Sequence, residues 1–289
     1  MRADRSPAGW PDGSSALPIP AGWTGQRLPV WLKLSMGSVA AMALGLAAEA
    51  AWLSWTGQPV TGVPLAAAAI YLGHVVGLGT CLWWRRRRSS RTGTLAAAPD
   101  GARGVTFTYS AWSYYWLTAL LVMSELVVLA VTAGAALSAT AVGVVMAAVI
   151  GVLAVVVGWF LVTMLRLAPG KIILSPTGVY HRGVTSTHFI PWHAIVAVSA
   201  GWLGTPIIAV KATPSEDTRV RRYMGRFRSG ELQFLPIMVV RTGWLATHPT
   251  TVYHALSFYC SHPNLRPELG TPDALDRISS GRAVGQEEP

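Results

Sequence analysis

Formal charge is scarce in this chain. Only 12% of its 289 residues are Asp, Glu, Lys or Arg, about half the share of an ordinary soluble domain, which excludes a conventional water-soluble globule. Cysteine is scarcer still. Cys81 and Cys260 are too few for a disulfide scaffold and read as reduced thiols used as small hydrophobes. Catalytic signatures are missing too: there is no GxSxG elbow, GxxxxGK[ST] phosphate loop, GxGxxG or HExxH. The chain is therefore expected to be non-enzymatic, with no catalytic residue, cofactor or metal. His181, His188 and His193 lie near one another in sequence, but no acidic or thiol ligand accompanies them and a turn separates the first from the last. Ser257, Cys260 and His262 look like a nucleophile and base, yet Cys260 belongs to an apolar helix face and no orienting carboxylate is nearby. With 52% hydrophobic residues, disorder of the whole chain is excluded, and the 29 glycines follow no three-residue period, which excludes collagen.

Four apolar runs, residues 34–55, 60–84, 114–136 and 142–165, dominate the first half. Each has 22 to 25 residues and reaches at least about 33 Å as a helix, against a hydrocarbon core of about 30 Å. They hold two formally charged residues between them, Glu49 and Glu125. Soluble helices alternate polar and apolar faces, so these read as membrane spans. About 33 polar and proline-rich residues precede the first run, which argues against a cleaved signal peptide.

The basic residues orient the spans. Arg2, Arg5, Arg27 and Lys33 precede the first; Arg85, Arg86, Arg87, Arg88, Arg91 and Arg103 lie between the second and third; the other 13 follow the fourth. The connectors 56–59 and 137–141 carry none. The positive-inside rule then places both termini and the middle loop in the cytoplasm, for a multi-pass protein of the inner cell membrane. Arg85–Arg88 after Trp83 and Trp84 form an interfacial anchor able to meet anionic lipid; a nucleic-acid partner is not expected.

Small residues recur every four positions: Gly37, Ala41 and Gly45; Ala69, Gly73, Gly77 and Cys81; Gly143, Ala147 and Gly151. In lipid such stripes let backbones approach, so a compact bundle is expected. Glu49 continues the first stripe and is expected to face a neighbouring helix. Thr118, Glu125 and Thr132 share one face, and a contact between His74 and Glu125 is within reach. Such groups are costly in a membrane, so Glu49, His74 and Glu125 are candidates for carrying protons or cations. The plainer alternative is a protonated glutamate bridging two helices by a hydrogen bond.

After residue 165 the pattern changes. Strands are expected at Lys171–Ser175, Val179–Gly183, His188–Pro191, Ile195–Trp202, Pro206–Ala212 and Glu231–Val240, the last interrupted by Pro236, with a turn at Pro176-Thr177-Gly178. A helix follows, with Pro249 in its first turn, Val252, Ala255, Leu256, Tyr259 and Cys260 on a buried face, and His254, Ser257 and Ser261 opposite. This implies a curled antiparallel sheet closed by one helix over residues 166–263.

GKIILSPTGVYHRG and FIPWHAIVAV, residues 170–183 and 189–198, resemble the first strands of bacterial pleckstrin-homology-like domains, where an LTPxG hairpin leads to an IPWxxI phrase. Four spans followed by such a domain and a helix like HPTTVYHALSFYCSHP is similar to membrane proteins of GC-rich bacteria; 20 arginines against three lysines agree. The resemblance implies a seven-stranded, helix-capped docking module without catalytic residues. Phosphoinositide-binding relatives place basic residues in the first hairpin; here that turn has only Lys171 and Arg182 nearby, so no binding-residue set carries over.

Arg219, Arg221, Arg222, Arg226 and Arg228, interleaved with Tyr223 and Phe227, are expected on a long loop or short hairpin. They are placed either to dock anionic headgroups or a protein partner, or to lie in solvent beside Glu216 and Asp217. Residues 2–29 within the N-terminal region 1–33 read as disordered, and 264–289 as a short helix from about Pro272 with a frayed tail. The fold class is thus an N-in/C-in membrane α-helical bundle of four spans plus a cytoplasmic β-barrel or sandwich capped by a C-terminal helix. Its expected partners are the bilayer, anionic headgroups or a protein, with a homo-oligomer also open. A small proton- or cation-coupled carrier is the rival function.

Overall fold

A computed structural model describes residues 17–24, 29–84, 93–223 and 234–284. Its first four helices are α1 (Val30–Trp55), α2 (Pro59–Trp84), α3 (Ala111–Leu137) and α4 (Ala141–Leu167). Each has 26 or 27 residues, which is about 40 Å of helix, long and apolar enough to cross a membrane. The helices extend the apolar runs by a few residues at most ends because flanking Ala, Ser, Trp and Leu continue the helical backbone without penalty. Thr140 caps α4, its hydroxyl accepting from the Gly143 N–H.

The four helices form a row rather than the compact bundle expected. Contact runs from α1 to α2, α2 to α3 and α3 to α4, and no comparable interface joins α1 to α4. Glycine allows the close approaches. A Cβ on Gly62 would lie 2.9 Å from the Ala50 carbonyl oxygen of α1, and one on Gly77 would lie 2.6 Å from the Trp116 ring of α3. The stripes are only partly used: Gly37, Gly45 and Gly73 have nothing within 4 Å of an added Cβ. Large apolar side chains such as Leu44, Val60, Leu126 and Val155 stay exposed along the row, an apolar surface far larger than a soluble monomer carries.

The β region is a six-stranded antiparallel sheet in the order β1 (Thr94–Ala97), β2 (Arg103–Thr108), β3 (Lys171–Leu174), β4 (Gly178–Arg182), β5 (Ser186–Pro191) and β8 (Arg219–Arg222). Opposite it lies a three-stranded sheet, β6 (Ile195–Trp202), β7 (Pro206–Ala212) and β9 (Met238–Arg241). The hairpin β1–β2 comes from the connection between α2 and α3, so the sheet is not confined to residues 166–263. Val105 and Phe107 of β2 are fully buried and face the core beside Ile172 and Leu174 of β3. Val179, Ile190, Ile208, Val210, Met238 and Val240 fill the space between the sheets, and α5 (Pro249–Ser261) covers it with Val252, Leu256 and Tyr259. A short helix, α6 (Pro272–Ser279), follows, its Arg277 paired with Glu268.

Two expectations about local structure are corrected. Residues 17–24 are ordered: the Trp23 indole N–H reaches the carbonyls of Gly201 and Ile207 at 3.1 and 3.2 Å, and this ring joins the core. Consequently His254, expected on the open side of its helix, is buried, and its Nε2–H donates to the Pro18 carbonyl at 2.7 Å. Residues 1–16, 25–28 and 285–289 lie outside the described residues, as does the start of the strand expected from Glu231.

Helices and sheets are fastened to each other at one end of the row. Tyr109 bridges to Leu245, the Ser110 N–H donates to the Trp244 carbonyl, and the Tyr114 hydroxyl accepts from the Gly170 N–H at 2.9 Å. Trp244 meets the rings of Tyr109 and Tyr114, and Gly243 sits against the Leu82 backbone at the end of α2.

Candidate functional site

The three candidate proton- or cation-carrying groups of the apolar helices, Glu49, His74 and Glu125, are not brought together. Glu49 is exposed, on the side of α1 turned away from α2, and the stripe it continues has no helical neighbour in the chain. The reason is that α1 stands at the end of the row and offers its Ala50 side to α2 instead. His74 lies beside Trp116 and Tyr115, with ring centroids at 5.1 and 6.2 Å, and its Nδ1 is hydrogen-bonded to the Ile70 carbonyl. Tyr71 opposite Ser124 and Gly77 opposite Trp116 set the α2–α3 register, which places His74 about five residues short of Glu125. Glu125 turns instead to α4, its Oε1 3.4 Å from where a Cβ on Gly158 would stand. Its Oε2 is buried with no hydrogen-bond partner, so the bridging bond expected of it is not formed. A groove of about 460 Å³ along α3, walled by Ala111, Tyr114, Thr118, Val122 and Met123, does not include Glu125.

The basic cluster is better organised than a loop. Arg219, Arg221 and Arg222 form the outer strand β8, paired with β5 in the register Phe189 to Arg219, Thr187 to Arg221 and Ser186 to Arg222. An edge strand can carry arginines because its outer rim meets solvent, which is also why its composition conceals it. Glu216 and Asp217 are not their partners: Asp217 stands 3.7 Å from His193, and no described ion pair includes the three arginines. Arg85, Arg86, Arg87, Arg88, Arg226 and Arg228 lie outside the described residues.

Strand register places further cations in line with β8. Thr108, Lys171, Arg182, Thr187 and Arg221 are successive cross-strand neighbours over β2, β3, β4, β5 and β8, on the sheet face opposite Phe107 and Ile172. Lys171 begins β3 directly after α4, and Arg182 Nη2 donates to the Pro169 carbonyl at 2.8 Å. This row is therefore the rim of the sheet nearest the helices. Burial, and then the Arg182 charge, lower the Lys171 ammonium from its ordinary value. Arg182 Nε is buried with no partner. At the far end of the rim, the Trp159 indole N–H of α4 donates to the Tyr223 carbonyl at 3.3 Å, and Arg221 stacks on Tyr223 with its guanidinium carbon 5.1 Å from the ring centre. The signal for Trp159 in the sequence is a tryptophan six residues before the end of an apolar run.

On the core face of the same strands, His181 and His188 are cross-strand neighbours and both buried. His181 Nε2 is hydrogen-bonded to the Tyr109 hydroxyl at 2.6 Å. Burial pushes His181 down to about 3, with the neighbouring His188 adding to it, and burial pushes His188 to about 4. His193 is exposed on the turn after β5 and does not join them. No cluster of three potential metal ligands occurs among the described residues.

No protein family, curated protein or solved structure matches the chain.

Proposed function

We propose that this is a multi-pass protein of the inner cell membrane, with both termini cytoplasmic, in which α1 to α4 span the bilayer and hold a pleckstrin-homology-like module at its inner surface. Its role is that of a non-enzymatic scaffold or accessory subunit that docks to the leaflet or to a protein partner. One observation carries the reading: residues 17–24, the hairpin β1–β2 and the described residues after α4 come from three separate parts of the chain, leave the helix row at the same end, and build one body. A mobile reporter domain needs one tether; this one is held at the ends of α2, α3 and α4, as a rigid platform would be. Among the described residues seven strands, β3 to β9, separate α4 from α5, which supports the pleckstrin-homology-like reading. Arginines Arg85–Arg88 belong to the same cytoplasmic side by the positive-inside rule.

The unpartnered Glu125 oxygen favours a second reading, a small proton- or cation-coupled carrier that would use Glu125 with Glu49 and His74. Reconstitution of the full chain in liposomes under a pH gradient separates the two. The scaffold is expected to give no proton flux above protein-free liposomes, with Glu125→Gln indistinguishable from wild type. Flux in the wild type that disappears in Glu125→Gln would overturn it.

A further inference from the structure

The rim Thr108, Lys171, Arg182, Thr187 and Arg221 has the composition of an anion site, and among the described residues no carboxylate pairs with its cations. We propose that it binds the phosphate of an anionic phospholipid from the leaflet into which α4 inserts. The inference deepens the membrane-platform reading and rests on it.

Lys171 and Arg182 stand directly opposite each other in antiparallel register, where strands are about 4.8 Å apart and like charges repel. Neither they nor Arg221 has a carboxylate partner among the described residues. Thr187 separates Arg182 from Arg221 and adds a hydroxyl donor to the row, as Thr108 does at its other end. Arg182 is steadied by the carbonyls of Ala168 and Pro169 at the end of α4, which leaves its buried Nε without an acceptor. A phosphate held over the row would offset the repulsion between Lys171 and Arg182.

The helix gives the depth. Crossing a hydrocarbon core of about 30 Å takes about 20 residues, and α4 has 27. With the surplus on the side of the sheets, Trp159 falls where hydrocarbon gives way to headgroups, the layer that tryptophan favours. The Trp159 to Tyr223 bond ties the β8 end of the rim to that level, and Lys171 follows the helix end four residues after Leu167. The row thus lies along the last two turns of α4, at headgroup height. It is at the opposite end of the β3–β4 hairpin from the turn at Pro176-Thr177-Gly178.

The test is native mass spectrometry of the full chain in detergent, titrated with phosphatidylglycerol, phosphatidylcholine or inorganic phosphate. Phosphatidylglycerol is expected to bind at least tenfold more tightly than phosphatidylcholine. At about fivefold for each cation removed, Lys171→Gln with Arg221→Gln weakens it about 25-fold. Lys211→Gln, exposed on β7 in the other sheet, leaves it unchanged. If the double variant does not fold, Arg221→Gln alone, on an exposed edge strand, reads out the fivefold step. Equal affinity for both lipids, or an equal loss in Lys211→Gln, overturns the site. Displacement of the lipid by equimolar phosphate overturns the choice of a lipid as ligand. Each of these outcomes is separate from the flux result, which alone decides between scaffold and carrier.

Discussion

Phe107→Ala is expected to remove a large share of the β module's stability and lower its melting temperature by more than any surface change, because truncating a fully buried phenylalanine costs about 3–5 kcal/mol and domains are stable by only about 5–15 kcal/mol. The expectation follows from topology. β2 is an interior strand: it pairs with β1 on one side and β3 on the other, and Phe107 lies opposite Ile172 in the same core as Val105 and Leu174. The excised segment 166–289 is expected to be unfolded, since β3 would lose β2, one of its two partner strands, and the core would lose Val105 and Phe107 beside Ile172 and Leu174. Fusing residues 93–110 ahead of it should restore a cooperative unfolding transition. Circular dichroism and thermal melts of the two fragments decide the matter; a folded 166–289 fragment would mean that the hairpin is an ornament rather than part of the core.

Acid sensitivity is the second large effect. His181 and His188 sit on the core face, held below the ordinary histidine value of 6.5 at about 3 and about 4. In the unfolded chain both take up a proton as the pH falls through 6.5, while in the folded protein neither does until far lower. The folded state therefore keeps its full stability above pH 6.5 and loses it progressively from there down to about pH 4 for His188 and about pH 3 for His181. By linkage, each histidine destabilises by about 2 kcal/mol at pH 5, roughly 4 kcal/mol together. Glu268, lowered chiefly by its hydrogen bond from Arg277, contributes stability that is present above its ordinary value of 4.5 and is lost below it, so a comparison of pH 7.5 with pH 5 reads the histidines. Chemical denaturation at pH 7.5 and pH 5 is expected to show the loss, and His188→Asn to remove about half of its pH dependence. A midpoint that does not move between those pH values would contradict the buried, neutral pair.

Most of the individual elements were legible in the sequence. The apolar runs identified α1 to α4, and β6, β7 and α5 stand where alternation and the 3.6-residue period placed them. What escaped was long-range. Val105-Thr106-Phe107-Thr108-Tyr109 carries a strand pattern, but it precedes an apolar helix and so reads as loop; beyond the short β1 of its own hairpin, the strand that places it in the core sheet, β3, comes more than 60 residues later. Arg219-Val220-Arg221-Arg222 is a poor strand by composition and becomes one because β5 offers a free edge. The burial of His254 is not legible in its helix because the carbonyl that holds it, that of Pro18, is over 200 positions away. Candidate-site residues divided similarly. Glu49, His74 and Glu125 were recognisable as costly groups, yet the order of helices in the row decides what each faces. Arg219, Arg221 and Arg222 were recognisable as a cluster, whereas the alignment of Arg221 with Lys171 and Arg182 depends on register across three strand pairs.

The central claim is that four helices cross a bilayer with every β element on one side of it, and sidedness labelling tests it most directly. In sealed vesicles of known orientation carrying single cysteines on a background without Cys81 and Cys260, Gln58→Cys and Thr140→Cys are expected to react with a membrane-impermeant maleimide from the outer side only. Asp100→Cys and Glu216→Cys are expected to react from the cytoplasmic side only. Reaction of the turn residues and the sheet residues from the same side, or of Asp100→Cys and Glu216→Cys from opposite sides, would contradict the account.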